Sequence, residues 1–135
     1  MAKDILVTER LTDSMMKAGA ELVARLDKNN ADVKSAFWFY LSEDQVWKFI
    51  VASPQVDTIG PREYYKKINE ANLLAEDTEN VISLNDIGVS NTQNQIVQTL
   101  KFAIGTGDGI SGIRFSRNTI NGIFIEDTYI YRSNS

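Results

Sequence analysis

Two neighbouring segments of the chain are apolar on both faces of a predicted strand, and this feature constrains the fold more than any other. Residues 33–41 and 46–53 are rich in β-branched and aromatic side chains, and a polar turn, 42–45, separates them. The hairpin that this turn allows would oppose Tyr40 with Trp47, Trp38 with Phe49 and Ala36 with Val51 on one face, and Leu41 with Val46 and Phe37 with Ile50 on the other. Because both faces are apolar, we predict that the hairpin lies at the centre of a sheet covered on two sides.

Three helices are predicted around this hairpin. Residues 8–28 carry apolar side chains at spacings of three and four, as an amphipathic helix does. A second helix, 61–75, begins at Pro61, a residue favoured at the first helical position, after a predicted loop over 54–60. The third helix begins at residue 91 or 92 and continues to about Ile104, and Gly105 closes it.

The remaining pattern predicts one strand, 81–89, and a second hairpin. Residues 110–120 and 123–132 flank Asn121-Gly122, the strongest local signal for a tight hairpin turn. A two-residue turn would oppose Ile113 with Ile130, Phe115 with Thr128 and Arg117 with Glu126, and on the other face Arg114 with Tyr129, Ser116 with Asp127 and Gly112 with Tyr131. We expect the inner face of this hairpin to carry Ile113, Phe115, Phe124 and Ile130.

The order of these elements is α-β-β-α-β-α-β-β, which predicts an α+β fold with a five-stranded, mostly antiparallel sheet and three helices. A length of 135 residues indicates a single domain, 1–135. The pattern leaves open the position of the third strand in the sheet, because that position depends on crossover geometry.

The chain contains neither cysteine nor histidine, and it carries a net charge of −4. These absences exclude disulfides, zinc fingers and histidine-based catalytic triads. The negative charge argues against nucleic acid and anionic membranes as partners. Since we find neither a long apolar segment nor a signal-peptide core, we expect a cytoplasmic protein with no membrane association.

Residues 107–112 match the dinucleotide-binding spacing G-x-G-x-x-G. In that motif a strand leads into the loop and a helix leaves it, so that the helix N-terminus meets the pyrophosphate. Here the predicted order is reversed, and we therefore expect no cofactor. We also predict no metal site.

The second hairpin holds the candidate binding surface. Its outer face would gather Arg114, Ser116, Asn118, Asp127, Tyr129 and Tyr131 in one patch. Tyrosine and arginine are enriched at binding hot spots, so we interpret the patch as a ligand- or partner-binding surface with no catalytic residue. The alternative interpretation is a solvated outer face held by a surface ion pair.

Two functions are compatible with these features. The first is a small interaction or ligand-binding module without chemistry of its own, acting as a homo-oligomer or as a subunit of a larger assembly. The alternative is a Mg²⁺-dependent phosphodiesterase or nuclease that uses Asp127 or Glu126 with Arg114 and Arg117. Residues 109–122 resemble the C-terminal part of small bacterial α+β proteins, which implies a bacterial, cytosolic origin and no particular activity.

Overall fold

A computed structural model describes residues 2–134 and confirms an α+β fold. In this part of the chain the helices are α1 (Asp13–Lys28), α2 (Gln55–Ile59), α3 (Pro61–Leu73) and α4 (Gln95–Ala103). The strands are β1 (Lys3–Asp4), β2 (Ser35–Leu41), β3 (Val46–Ala52), β4 (Asn80–Val81), β5 (Ile87–Ser90), β6 (Ile113–Ile120) and β7 (Ile123–Ser133).

Five strands form the main sheet, in the order β5-β3-β2-β7-β6. The β2–β3, β2–β7 and β6–β7 pairs are antiparallel, whereas β3 and β5 run parallel, so the sheet is mixed. Strand β2 lies in the middle, which brings the C-terminal strand β7 beside the first hairpin.

The first hairpin has the predicted register at every predicted pair. Its alternation sends Trp38 and Phe49 into a core with α1 and α3, and Phe37 into a second core with Val97 of α4. Successive residues of a strand point to opposite faces, and both faces are apolar here, so the sheet is covered on two sides as predicted.

Helix α1 begins at Asp13, five residues later than predicted, because Thr12 caps it by accepting a hydrogen bond from the backbone N–H of Met15 at 3.2 Å. The residues before the cap run as an irregular segment. The indole Nε1 of Trp47 donates to the backbone oxygen of Glu9 at 2.8 Å and holds this segment against the start of β3.

Two features of the middle of the chain differ from the prediction. Helix α2 occupies the predicted loop 54–60, so residues 2–134 contain four helices rather than three. The predicted strand 81–89 is broken by a 3₁₀ turn, Leu84–Asp86, since the Ser83 side chain accepts a hydrogen bond from the N–H of Asn85 and starts that turn. Val81 therefore belongs to β4, which pairs with β1 in a separate two-stranded parallel sheet.

The last hairpin keeps its predicted register except at two pairs. The pair of Arg117 and Glu126 is not formed, because Arg117 has a φ of 49° in the left-handed region. Beyond Arg117, the side chains of the hairpin alternate between the two faces of the sheet in the opposite sense. Ile125 is therefore buried, whereas Phe124, which we predicted on the inner face, is 59% exposed. Gly112 precedes β6, and Ser111 instead donates its N–H to the backbone oxygen of Tyr131.

Within residues 2–134, no helix combines the length and the apolar character needed to cross a lipid bilayer.

Candidate functional site

A cleft of about 490 Å³ opens where the N-terminal end of α1 leaves one face of the sheet uncovered. The segment before α1 contributes Arg10 to this cleft, and the last hairpin contributes Arg114 and Arg117. Tyr40, near the end of β2, and Trp47, near the start of β3, also line it. We call this site the arginine cleft. Its other lining residues are Glu9, Leu11, Ser116, Glu126 and Asp127.

Three of the six predicted patch residues meet in this cleft as a hydrogen-bonded group. Arg114 donates from Nε to Oδ1 of Asp127 at 3.1 Å and from a terminal nitrogen to Oδ2 at 2.6 Å. Ser116 donates its hydroxyl to Oδ1 of Asp127 at 2.7 Å. A bidentate arginine–carboxylate pair fixes both side chains in one plane, so this wall of the cleft is preorganised.

The remaining three predicted patch residues lie elsewhere. Tyr131 is only 1% exposed and donates its hydroxyl to the backbone oxygen of Met16 at 2.6 Å, because α1 covers this end of the face that we predicted to be outer. Tyr129 is half-buried, with its ring edge-on to Tyr131 at 5.2 Å. Asn118 pairs with Ile125 of the second core and therefore lies on the opposite face from Arg114.

The tertiary structure adds cleft residues from outside the last hairpin. The Arg114 guanidinium lies over the ring of Trp47, with 5.9 Å to the ring centroid. The Tyr40 hydroxyl donates to Oε1 of Glu9 at 3.4 Å, a long hydrogen bond. No sequence feature indicates that Glu9 and Arg10 line a cleft, because both lie within the predicted helix 8–28.

The electrostatics of the cleft keep Asp127 ionised. Partial burial raises the pKa of Asp127, but the hydrogen bonds from Arg114 and Ser116 outweigh it and hold that pKa below its ordinary value. The hydrogen bonds that Arg114 donates to Asp127 raise the pKa of Arg114. Desolvation and the Glu9 carboxylate raise the pKa of Tyr40, so Tyr40 enters the cleft as a neutral phenol.

Arg10 and Arg117 differ from Arg114 in having no partner. Neither guanidinium makes a hydrogen bond or ion pair with any residue that the structure describes, and both side chains are exposed. Three of the six arginines of a chain with net charge −4 thus line one cleft. The positive charges of Arg10 and Arg117 therefore have no fixed counter-charge among the residues that the structure describes.

In residues 2–134 no three aspartates or glutamates are placed so that they could hold a metal ion together. Asp127 and Glu126 both line the cleft, but Arg114 and Ser116 already occupy the carboxylate oxygens of Asp127. A divalent cation at Asp127 would have to replace those hydrogen bonds.

No family model, curated protein or solved structure matches the chain.

Proposed function

We propose that this protein is a binding module without chemistry of its own, which presents the arginine cleft to a ligand or protein partner. The observation that carries the proposal is the fixed Arg114–Asp127–Ser116 group beside two unpaired arginines in one cleft. We also propose that the module works in the cytoplasm of a bacterium, as a homo-oligomer or as a subunit of a larger assembly.

The composition of the cleft supports binding. Tryptophan, tyrosine and arginine are the side chains most enriched at binding hot spots, and the cleft combines Trp47, Tyr40 and three arginines. Because Asp127 and Trp47 already orient Arg114, a ligand that contacts Arg114 would not have to order that side chain.

The same geometry provides little for catalysis. The Ser116 hydroxyl donates a hydrogen bond to Asp127, and a carboxylate with a lowered pKa is a weak base for activating a hydroxyl nucleophile. The Mg²⁺-dependent phosphodiesterase stays as the alternative, since Glu126 and Asp127 border the cleft with Arg114 and Arg117.

Native mass spectrometry of the untagged protein tests the proposal. We expect a mass above that of the 15.2 kDa chain, either as a multiple of it or with a retained ligand. The double variant Arg10→Ala/Arg117→Ala should lose the added mass. Arg62→Ala, which removes an exposed arginine of α3 outside the cleft, should keep it.

Three results would overturn the proposal. The first is a bare monomer of the unmodified chain, and the second is an added mass that persists in the double variant. The third is Mg²⁺-dependent cleavage of labelled DNA or RNA that EDTA stops and Asp127→Asn abolishes, which would establish the phosphodiesterase instead.

A further inference from the structure

We infer that the arginine cleft binds an oxyanion, the phosphate or carboxylate group of a small molecule, through the guanidinium groups of Arg10 and Arg117. This inference rests on the proposed function, because it names the chemistry of the ligand that the cleft would take.

The first argument is that Arg117 does not pair with Glu126 across the last hairpin. The hairpin register places Arg117 opposite Glu126, and opposite charges at such positions attract each other in an ordinary antiparallel ladder. The cross-strand pair is absent, and Arg117 forms no ion pair with Glu126. The guanidinium of Arg117 therefore lines the cleft without a partner among residues 2–134, although Glu126 lines the same cleft.

The second argument is the backbone of Arg117. Its φ of 49° is unfavourable for a residue with a Cβ, and glycine or asparagine would tolerate it better. Among residues 2–134 it is the only non-glycine residue with positive φ inside a strand, since the others lie in turns and loops. Strain of this kind concentrates at functional sites.

The third argument concerns the kind of anion. Guanidinium groups bind phosphate and carboxylate oxygens through paired, charge-assisted hydrogen bonds. The cleft volume of about 490 Å³ suits a small molecule. The carboxylates of Glu9 and Glu126 border the cleft, and the chain is acidic overall, so a polyphosphate backbone would be repelled. We therefore infer a compact ligand with one or two oxyanion groups.

The test is a titration of ¹⁵N-labelled protein with inorganic phosphate and, separately, with succinate, at constant ionic strength set by NaCl. We expect saturable shifts of the Trp47 indole N–H and of the Arg114 Nε–H, which lie in the cleft. Saturation by phosphate alone identifies a phosphate ligand, and saturation by succinate alone identifies a carboxylate ligand.

Matched variants complete the test. Arg10→Ala and Arg117→Gly should each weaken the binding about tenfold or more, because each removes a charge-assisted contact. Arg117→Gly also relieves the backbone, so it keeps the fold. Arg62→Ala should bind like the unmodified protein.

The inference is overturned if neither anion gives a saturable shift, or if both cleft variants bind as tightly as the unmodified protein. A mass gain that depends on Arg10 and Arg117 but not on phosphate or succinate would refute the oxyanion and leave the proposed function standing. If neither the mass gain nor the shifts are observed, both the oxyanion inference and the proposed function are refuted.

Discussion

Arg117 shows how one residue decides the character of the last hairpin. Its left-handed backbone, with a φ of 49°, interrupts the pairing with Glu126 and reverses which side chains face the core. On one side of it, Arg114 and Asp127 share the cleft, and on the other side Phe124 points to solvent. The composition of the cleft therefore depends on a dihedral angle that no residue pattern around Arg117 indicates.

At this position we predict that Arg117→Gly stabilises the protein. Relief of the left-handed strain, about 1–2 kcal/mol, exceeds the entropy that glycine adds to the unfolded chain, about 0.5–1 kcal/mol. The free energy of unfolding, measured with urea, should rise by about 0.5 kcal/mol. Arg117→Ala keeps the Cβ and should give no such gain, and a loss of stability in Arg117→Gly would show that the side chain supports the fold.

The second residue-scale prediction concerns Asp127 and pH. Because the pKa of Asp127 is lowered in the folded protein, its ion pair stabilises the fold above the unfolded pKa of about 3.9, and this contribution is lost as the pH falls through the lower folded value. Arg114 is partly exposed, so we expect Asp127→Asn to cost about 0.5–1 kcal/mol at pH 7.

Unfolding free energies between pH 7 and pH 3 test this expectation. The difference between Asp127→Asn and the unmodified protein should shrink as the pH drops below about 4. Asp44→Asn, in the exposed turn of the first hairpin, serves as the control and should show no difference at any pH. A difference that stays constant down to pH 3 would contradict the role of the ion pair.

At the scale of elements, α1 and β7 approach each other closely at a glycine. A Cβ at Gly19 in the middle of α1 would overlap the ring of Tyr131, whose hydroxyl donates to the backbone of α1 at Met16. An ion pair between buried Arg132 and exposed Asp27 adds a second link, since Arg132 donates to both carboxylate oxygens of Asp27 at 2.8 Å. The face of the last hairpin that we predicted to be outer is thus closed by α1 at the Tyr131 end of β7.

Gly19→Ala separates helix propensity from packing. Propensity alone predicts a gain of about 1 kcal/mol in a helix interior. The overlap with Tyr131 should cost about 1–3 kcal/mol and outweigh that gain, so we expect a lower melting temperature by differential scanning calorimetry. Gly107→Ala, where no atom lies near the added Cβ, should leave the melting temperature almost unchanged. A stabilised Gly19→Ala would mean that Tyr131 moves without cost.

At the scale of the whole molecule, the sheet joins distant parts of the chain. The central strand β2 lies between β3, its neighbour in sequence, and β7 from the C-terminal end. Thr128 of β7 donates its hydroxyl to the backbone of Trp38, and both residues are fully buried. Both cores of the sheet contain side chains of β7, namely Tyr131 in one and Ile130 in the other.

We therefore predict that removal of residues 111–135 abolishes cooperative unfolding, because it exposes Trp38 and Phe37 together. Chemical denaturation followed by tryptophan fluorescence measures this effect. Removal of residues 1–4, which takes away only the two-residue strand β1, should preserve a cooperative transition. A cooperative transition in the longer truncation would show that the N-terminal part folds without β7.

From the sequence we could predict the α+β class, the two hairpin registers outside Arg117 and Gly112, and the meeting of Arg114, Ser116 and Asp127. These features follow from period-two alternation and turn length, which act between residues that are near each other in the chain or opposed by a short turn.

Three features could not be predicted in this way: β3 and β5 run parallel, Tyr131 is buried, and Arg10 and Trp47 complete the cleft. Each of these depends on how far α1 extends over the sheet and where a long connection returns, and those distances are set by packing between elements far apart in the sequence. The left-handed Arg117 belongs with them, because neighbouring strands must hold a strained backbone that local preference disfavours.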